Sequence, residues 1–275
     1  MEKYEGKVNA PPFPVGVEWL NTPAPLSLGD FAGKLLVLDF WTYCCINCMH
    51  IIPALRRLER HFPNEIAVVG VHSPKFDQER SGENIRQAIM RYGVSHPVVN
   101  DADHTVWQAY AVRAWPTLLF VDPVGKVIGR IEGELTPEQG VTLFDEMLAE
   151  FKTAGTLRPS PGAFDTMPAP EGILSFPGKI LADPENERLI IADSGHHRVL
   201  ITDLDGEIQT IIGSGYQGLA DGVLEGAQLL RQTVRGLGAL GVAVAIADED
   251  LRQYTPPPRR IYNYSLRKYG YPMRR

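Results

Sequence analysis

Apolar runs and helix-spaced apolar stripes take turns along the first half of the chain, and then the pattern changes. Leu35–Trp41 is apolar at every position except Asp39, as expected of a strand covered on both faces. From about residue 45 to residue 60, Ile51, Ile52, Leu55 and Leu58 recur at helical spacing, and Pro53 inside that span predicts a kink. Residues 66–71 are β-branched and uncharged, a second buried strand. Residues 83–92 read as a helix stopped by Gly93, 97–100 as a short strand, 105–110 as a short helix and Thr117–Val121 as the next strand. The turn Asp122-Pro123-Val124-Gly125 joins it to 126–131 as a hairpin. Thr136 as N-cap and Pro137 at the first helical position open a last helix, to about Lys152. The order βαβαβαββα predicts an α/β fold, a mixed sheet with helices on both faces.

Beyond this the spacing shortens. Residues 179–182, 188–192, 197–202 and 208–212 read as four short strands, separated by Asp-containing turns at 183–186, 193–196 and 203–206. Four strands in so short a stretch make one blade of a β-propeller, a unit that needs neighbours to bury its faces. Residues 245–252 echo 190–197. The expected divisions are an N-terminal Pro-rich arm at 1–30, a first domain at 31–152 and a Pro/Gly-rich linker at 153–171. A partial propeller at 172–252 and a basic irregular tail at 253–275 complete them.

A length of 275 residues fits about two domains, and 44% hydrophobic with 22% charged residues is a globular composition. A net charge of −6 argues against a nucleic-acid or anionic-membrane partner. Pro11, Pro12, Pro14, Pro23 and Pro25 break up the start of the chain, so no secretory signal is read there. Three cysteines crowded at 44, 45 and 48 suit a reactive site in a reducing compartment, and the expected location is the cytoplasm.

Those cysteines, Cys44-Cys45-Ile46-Asn47-Cys48, fall where a buried strand hands over to a helix. Unpaired N–H groups and the positive end of the macrodipole favour an anion there, so Cys45 is expected to be partly thiolate and nucleophilic. Cys48, one turn on, would resolve the mixed disulfide. Zinc would need four ligands, and only the isolated His50 and His72 are at hand, so no metal is expected. Covalent haem would need His where Met49 stands. Buried inert thiols are the remaining alternative. Strand alternation turns Asp39 inward, where a carboxyl of raised pKa could take the Cys48 proton. Trp115-Pro116-Thr117 precedes a strand at a position where a proline can present a flat backbone edge to a substrate peptide. His72 ends a central strand near the site as an auxiliary candidate. Thr42-x-x-Cys45 partly fits a peroxidase pattern, but Leu38 stands where that pattern has proline.

Phe40-Trp41-Thr42-Tyr43-Cys44-Cys45-Ile46-Asn47-Cys48 resembles the active-site segment of thioredoxins, above all their TlpA-like branch. Asp39 matches that family's buried aspartate, Pro53 its helix kink and Pro116 its cis proline. Residues 172–213 resemble an NHL repeat, with Ala192-Asp193-Ser194-Gly195-His196-His197-Arg198-Val199 its most regular part. Together the two parts resemble the thioredoxin-like NHL-repeat proteins, of the NHL-repeat-containing protein 2 family. The resemblance implies a thioredoxin-like mixed sheet followed by an incomplete β-propeller. It also implies thiol–disulfide oxidoreductase activity with Cys45, Cys48 and Asp39 catalytic and Trp115, Pro116 and Thr117 at the substrate. The redox-active cysteine pair would serve in place of any cofactor. Substrates would be protein or small-thiol disulfides, with a further protein partner at the NHL segment. The alternative is a non-catalytic interaction scaffold. Two departures matter. Cys44 stands where the family has Trp, either a third redox thiol or a partly buried bystander. Ile46-Asn47 stands for Gly-Pro, which leaves the direction of electron flow open. Family members carry more blades, so a truncated or frame-shifted end is expected after about Asp221.

Overall fold

The computed structural model describes residues 3–161, 172–216, 226–229, 232–234 and 246–248. Met1–Ala169 and Pro170–Arg275 form separate compact units. The first unit opens with two short strands, β1 (Val8–Asn9) and β2 (Glu18–Leu20), inside the stretch expected to be a Pro-rich arm. There follow β3 (Leu35–Trp41), α1 (Ile46–His61), β4 (Ile66–His72), α2 (Gly82–Tyr92), β5 (Val98–Asn100) and α3 (Thr105–Ala109). The unit ends with β6 (Thr117–Val121), β7 (Lys126–Glu132) and α4 (Pro137–Thr153). Elements β3 to α4 keep the expected order, with ends shifted by a residue or so. The two arm strands escaped sequence reading because two or three residues carry no alternation to detect.

The strands form one mixed sheet in the order β1-β7-β6-β3-β4-β5-β2. β3 runs parallel to β4, with Asp39 opposite Gly70, and antiparallel to β6. The arm supplies both edges, β1 beside β7 and β2 beside β5.

Every residue of β3 is buried because successive side chains feed two different cores. Leu36, Leu38 and Phe40 pack with Val69, Val71 and Leu119, under Val106 of α3, Phe13 of the arm and Phe31 just after it. Leu35, Val37 and Trp41 face α1, α2 and α4 through Ile51, Leu55, Leu58, Ile85, Ile89, Phe144 and Met147. Each such Leu, Ile or Phe contributes roughly 1.5–3 kcal/mol by leaving water. Asp39 belongs by alternation to this second face, beneath α1.

Local signals set the helix ends. Thr136 accepts from the Gln139 amide and the Gln139 side chain accepts in return from the Thr136 amide, a capping box at α4. Gly93, with φ 63°, closes α2 in the left-handed region that glycine enters without steric cost. Pro53 lies within α1, which continues past it to His61. The Pro/Gly-rich stretch begins docked on the domain: Arg158 donates its amide to Gly33 O at 2.7 Å, and Lys34 Nζ donates to Ser160 O at 2.6 Å.

The second unit holds an antiparallel sheet in the order β11-β10-β9-β8, from β8 (Pro177–Asp183), β9 (Arg188–Asp193), β10 (Arg198–Asp203) and β11 (Ile208–Ile212). Two of its turns repeat one clasp. Asp183 accepts from Arg188 Nε at 2.8 Å, and Asp193 accepts from Arg198 Nε at 2.8 Å. The residue before each arginine, Glu187 or His197, is left-handed. A further pair, β12 (Gln232–Val234) and β13 (Ile246–Asp248), is antiparallel. The rest of the 245–252 echo, the expected break after Asp221 and the tail at 253–275 lie outside the described residues. No helix among the described residues is long and apolar enough to cross a membrane.

Candidate active site

The buried, paired end of β3 fixes Trp41, and the chain then turns sharply, the Cys45 amide donating to Thr42 O at 3.1 Å. Cys45 is the N-cap of α1, in extended conformation, and Cys48 lies one turn on. Both cysteines are free thiols; Cys48 is 1% exposed and Cys45 6%, so Cys45 is the more open of the pair. Cys45, Cys48, Trp41 and Ile52 pack in one cluster, with Trp115 and Tyr43 against it. The structure therefore brings together the expected nucleophile, the resolving thiol and the first of the expected substrate residues.

Asp39 is 1% exposed, and burial pushes its carboxyl up to about 7; the charge of His96 opposes the rise and that of Glu59 adds to it. Burial, the Cys45 sulfur that hydrogen-bonds it and the charge of Asp39 push the Cys48 thiol up, against a backbone hydrogen bond from Thr42. A resolving thiol so raised cannot ionise unaided near neutrality. A base whose own pKa sits near neutrality matches that need.

The substrate candidates are disposed unequally. The Trp115–Pro116 peptide is cis, as the resemblance implied, and Pro116 is buried while Trp115 is half-buried. Trp115 donates Nε1–H to Ser73 O at 3.0 Å, lies 4.2 Å from the Trp107 ring at a tilt of 33° and carries Lys75 Nζ 4.9 Å above its ring. Thr117 is fully buried and its hydroxyl donates to Ala114 O at 2.8 Å, so its side chain is committed inside the protein.

Both auxiliary candidates behave differently from a redox partner. Cys44, read from sequence as either a third redox thiol or a partly buried bystander, is exposed. Desolvation, a hydrogen bond to Glu79 and the charge of Glu79 push its thiol up to about 11, the direction opposite to activation. His72 is fully buried; Tyr43 stacks on it at 5.4 Å and donates its amide to Nε2 at 3.4 Å. Burial holds its pKa down to about 4, so it is a neutral acceptor that fixes the loop and does not face a substrate.

Sequence reading missed Glu79. It is 1% exposed, in a short 3-10 turn (Asp77–Arg80) ahead of α2, and gathers four donors. These are the Thr42 hydroxyl and the amides of Cys44 (3.0 Å), Lys75 (2.5 Å) and Phe76 (3.0 Å). Burial works against its charge, but those bonds hold it below the usual carboxylate range. Glu79 thus anchors the loop that carries Cys44 and Cys45. Its one sequence signal is local: a carboxylate three residues after Phe76, able to reach back to that amide. Because the Thr42 hydroxyl serves Glu79, it is not free for Cys45 as the peroxidase pattern would require. No cluster of three or more potential metal ligands occurs among the described residues.

The thioredoxin-like family model matches residues 33–127. This part of the chain is a thioredoxin-like domain. Around it, the chain is 38% identical to NHL repeat-containing protein 2 of Bos taurus over 91% of its own length and 35% of that protein. It is 40% identical to Protein SUPPRESSOR OF QUENCHING 1, chloroplastic, of Arabidopsis thaliana, over 91% of this chain and 24% of that one. The thioredoxin-like domain is also similar to thiol-disulfide oxidoreductase ResA of Bacillus subtilis (strain 168), 32% identical over 40% of this chain and 60% of that protein. The chain spans about a third of the length of NHL repeat-containing protein 2.

Proposed function

We propose that the thioredoxin-like domain carries out thiol–disulfide exchange. The observation behind this reading is the grouping of Cys45, Cys48 and the inward-facing Asp39 at the start of α1. The Cys45 sulfur attacks one sulfur of a substrate disulfide, forming a Cys45–substrate disulfide and expelling the other substrate sulfur, which takes a proton from water. The Cys48 thiol gives its proton to the Asp39 carboxylate and attacks the Cys45 sulfur. A Cys45–Cys48 disulfide forms, the second substrate thiol leaves, and two electrons have passed to the substrate. Run backwards, the same steps oxidise a dithiol. Trp115 and Pro116 line the approach of a protein or small-thiol substrate, and Thr117 supports them from within. The cysteine pair carries the electrons, with no metal or organic cofactor and no nucleic-acid or membrane partner, and the setting is cytoplasmic. Similarity to a protein named thiol-disulfide oxidoreductase supports the assignment.

A second reading rests on the other unit. The repeated Asp–Arg clasp of β8–β11 and the similarity to NHL repeat-containing protein 2 favour one blade of an NHL propeller that binds a protein partner, with the first domain as scaffold. Insulin reduction separates the two. Cys45→Ser should reduce no insulin, and Cys48→Ser should accumulate a mixed disulfide visible by intact mass and released by dithiothreitol. Wild-type reduction by Cys45→Ser removes Cys45 from the mechanism and favours the scaffold.

A further inference from the structure

A proton delivered to Asp39 must leave again before the next turnover, yet Asp39 is sealed in. Its Oδ1 has no hydrogen-bond partner, nor does the neighbouring buried Trp41 Nε1. The way out is marked by Gly70, directly opposite Asp39 on β4. A Cβ at Gly70 would lie 2.9 Å from Trp41 Nε1, 3.1 Å from Val98 Cγ2 and 3.5 Å from His96 Nε2. The missing side chain therefore lets the His96 ring reach over β4 toward Asp39. On its far side His96 Nδ1 meets Glu59 Oε1 at 3.2 Å, and Glu59 Oε2 accepts from Ser95 Oγ at 2.9 Å. The His96 side chain is 4% exposed and that of Glu59 22%, so the row Asp39, His96, Glu59 runs from the interior to solvent.

We propose that His96, oriented by Glu59, is the proton outlet of Asp39, a positioning residue for the resolving step. The inference rests on the reading that Asp39 takes the Cys48 proton. Burial opposes ionisation of Glu59, but the charge of His96 and the bonds from His96 and Ser95 hold it below its ordinary range. An ionised carboxylate only accepts, so Nδ1 carries the hydrogen of the neutral ring and Nε2 presents its lone pair toward Gly70. Asp39 O–H passes its proton to Nε2, directly or across one water. The imidazolium stands against Glu59 and releases its Nδ1 proton there and on to solvent, leaving Asp39 ionised. The charged and titratable groups around the row are Cys48, Glu59 and Arg56 of α1 and His96 itself, and among these His96 and Glu59 act on Asp39.

Two measurements on His96→Gln test this. In a single-turnover assay, the mixed disulfide should form at the wild-type rate and resolve about tenfold more slowly, with a displaced pH profile. A carbon-13 titration of the Asp39 carboxyl, which needs no substrate, should be displaced from that of the wild type, because the group facing Asp39 across Gly70 has changed. If that variant does not fold, Glu59→Gln, which keeps the ring in place, should slow resolving and displace its profile. An unmoved profile and an unmoved Asp39 titration overturn the relay while mixed-disulfide formation still upholds the exchange reading. Absence of any mixed disulfide in Cys48→Ser, where nothing resolves it, overturns both.

Discussion

Asp39→Asn removes a buried titration and nearly nothing else, so its effect can be worked out from one group. In the folded protein the Asp39 carboxyl titrates at about 7 against an ordinary value of 3.8. Between those two values the folded state holds a proton that the unfolded state has lost, so stability falls as pH rises through the window. Below about pH 4 both states are protonated and no cost exists; above about pH 7 the full cost is present. Roughly three units at about 1.4 kcal/mol each make about 4 kcal/mol, and full burial leaves no solvent screening to discount it. Asparagine keeps the shape and loses the titration. The variant should therefore match the wild type near pH 4 and exceed it by about 4 kcal/mol near pH 8. Urea unfolding of the reduced protein followed by tryptophan fluorescence is the assay, because Trp19, Trp41, Trp107 and Trp115 all lie in the first unit. Stability curves that run parallel from pH 4 to pH 8 would refute the reasoning. The stabilised variant should at the same time resolve mixed disulfides slowly, since its amide takes no proton from Cys48.

Cys44→Ser should leave insulin reduction within about twofold of wild type, because a thiol held near 11 supplies little thiolate at neutral pH. Glu79→Gln turns an amide NH2 toward two of four backbone and hydroxyl donors and should cost about 3 kcal/mol by urea unfolding. Gly70→Ala forces a methyl group against Trp41, Val98 and His96 and should destabilise by about 1–3 kcal/mol in the same assay.

The central strands and long helices were legible because burial on two faces or one stripe leaves a periodic trace, as in β3 and α1. Asp39 was legible because it alone breaks an apolar run, and the cysteine pair because it stands where that run hands over to a helix. Glu79, Glu59 and His96 were not. A charged residue in a polar stretch reads as solvent-facing, and only tertiary packing buries it. Glu79 sinks because the Cys44–Cys45 turn and the residues ahead of α2 both aim their amides at one point. His96 is drawn in because Gly70, distant in sequence, has no side chain. The exposure of Cys44 depended likewise on how tightly the turn after β3 closes.

Within a dozen residues the chain visits opposite margins of the seven-stranded sheet, covering β7 with β1 and β5 with β2. A version starting at Phe31 would bare two rows of backbone donors and acceptors at once, each a template for another molecule to zip onto. What resembles a dispensable preamble thus works as a guard against clumping, and trimming it should turn a dispersed domain into a sticky one.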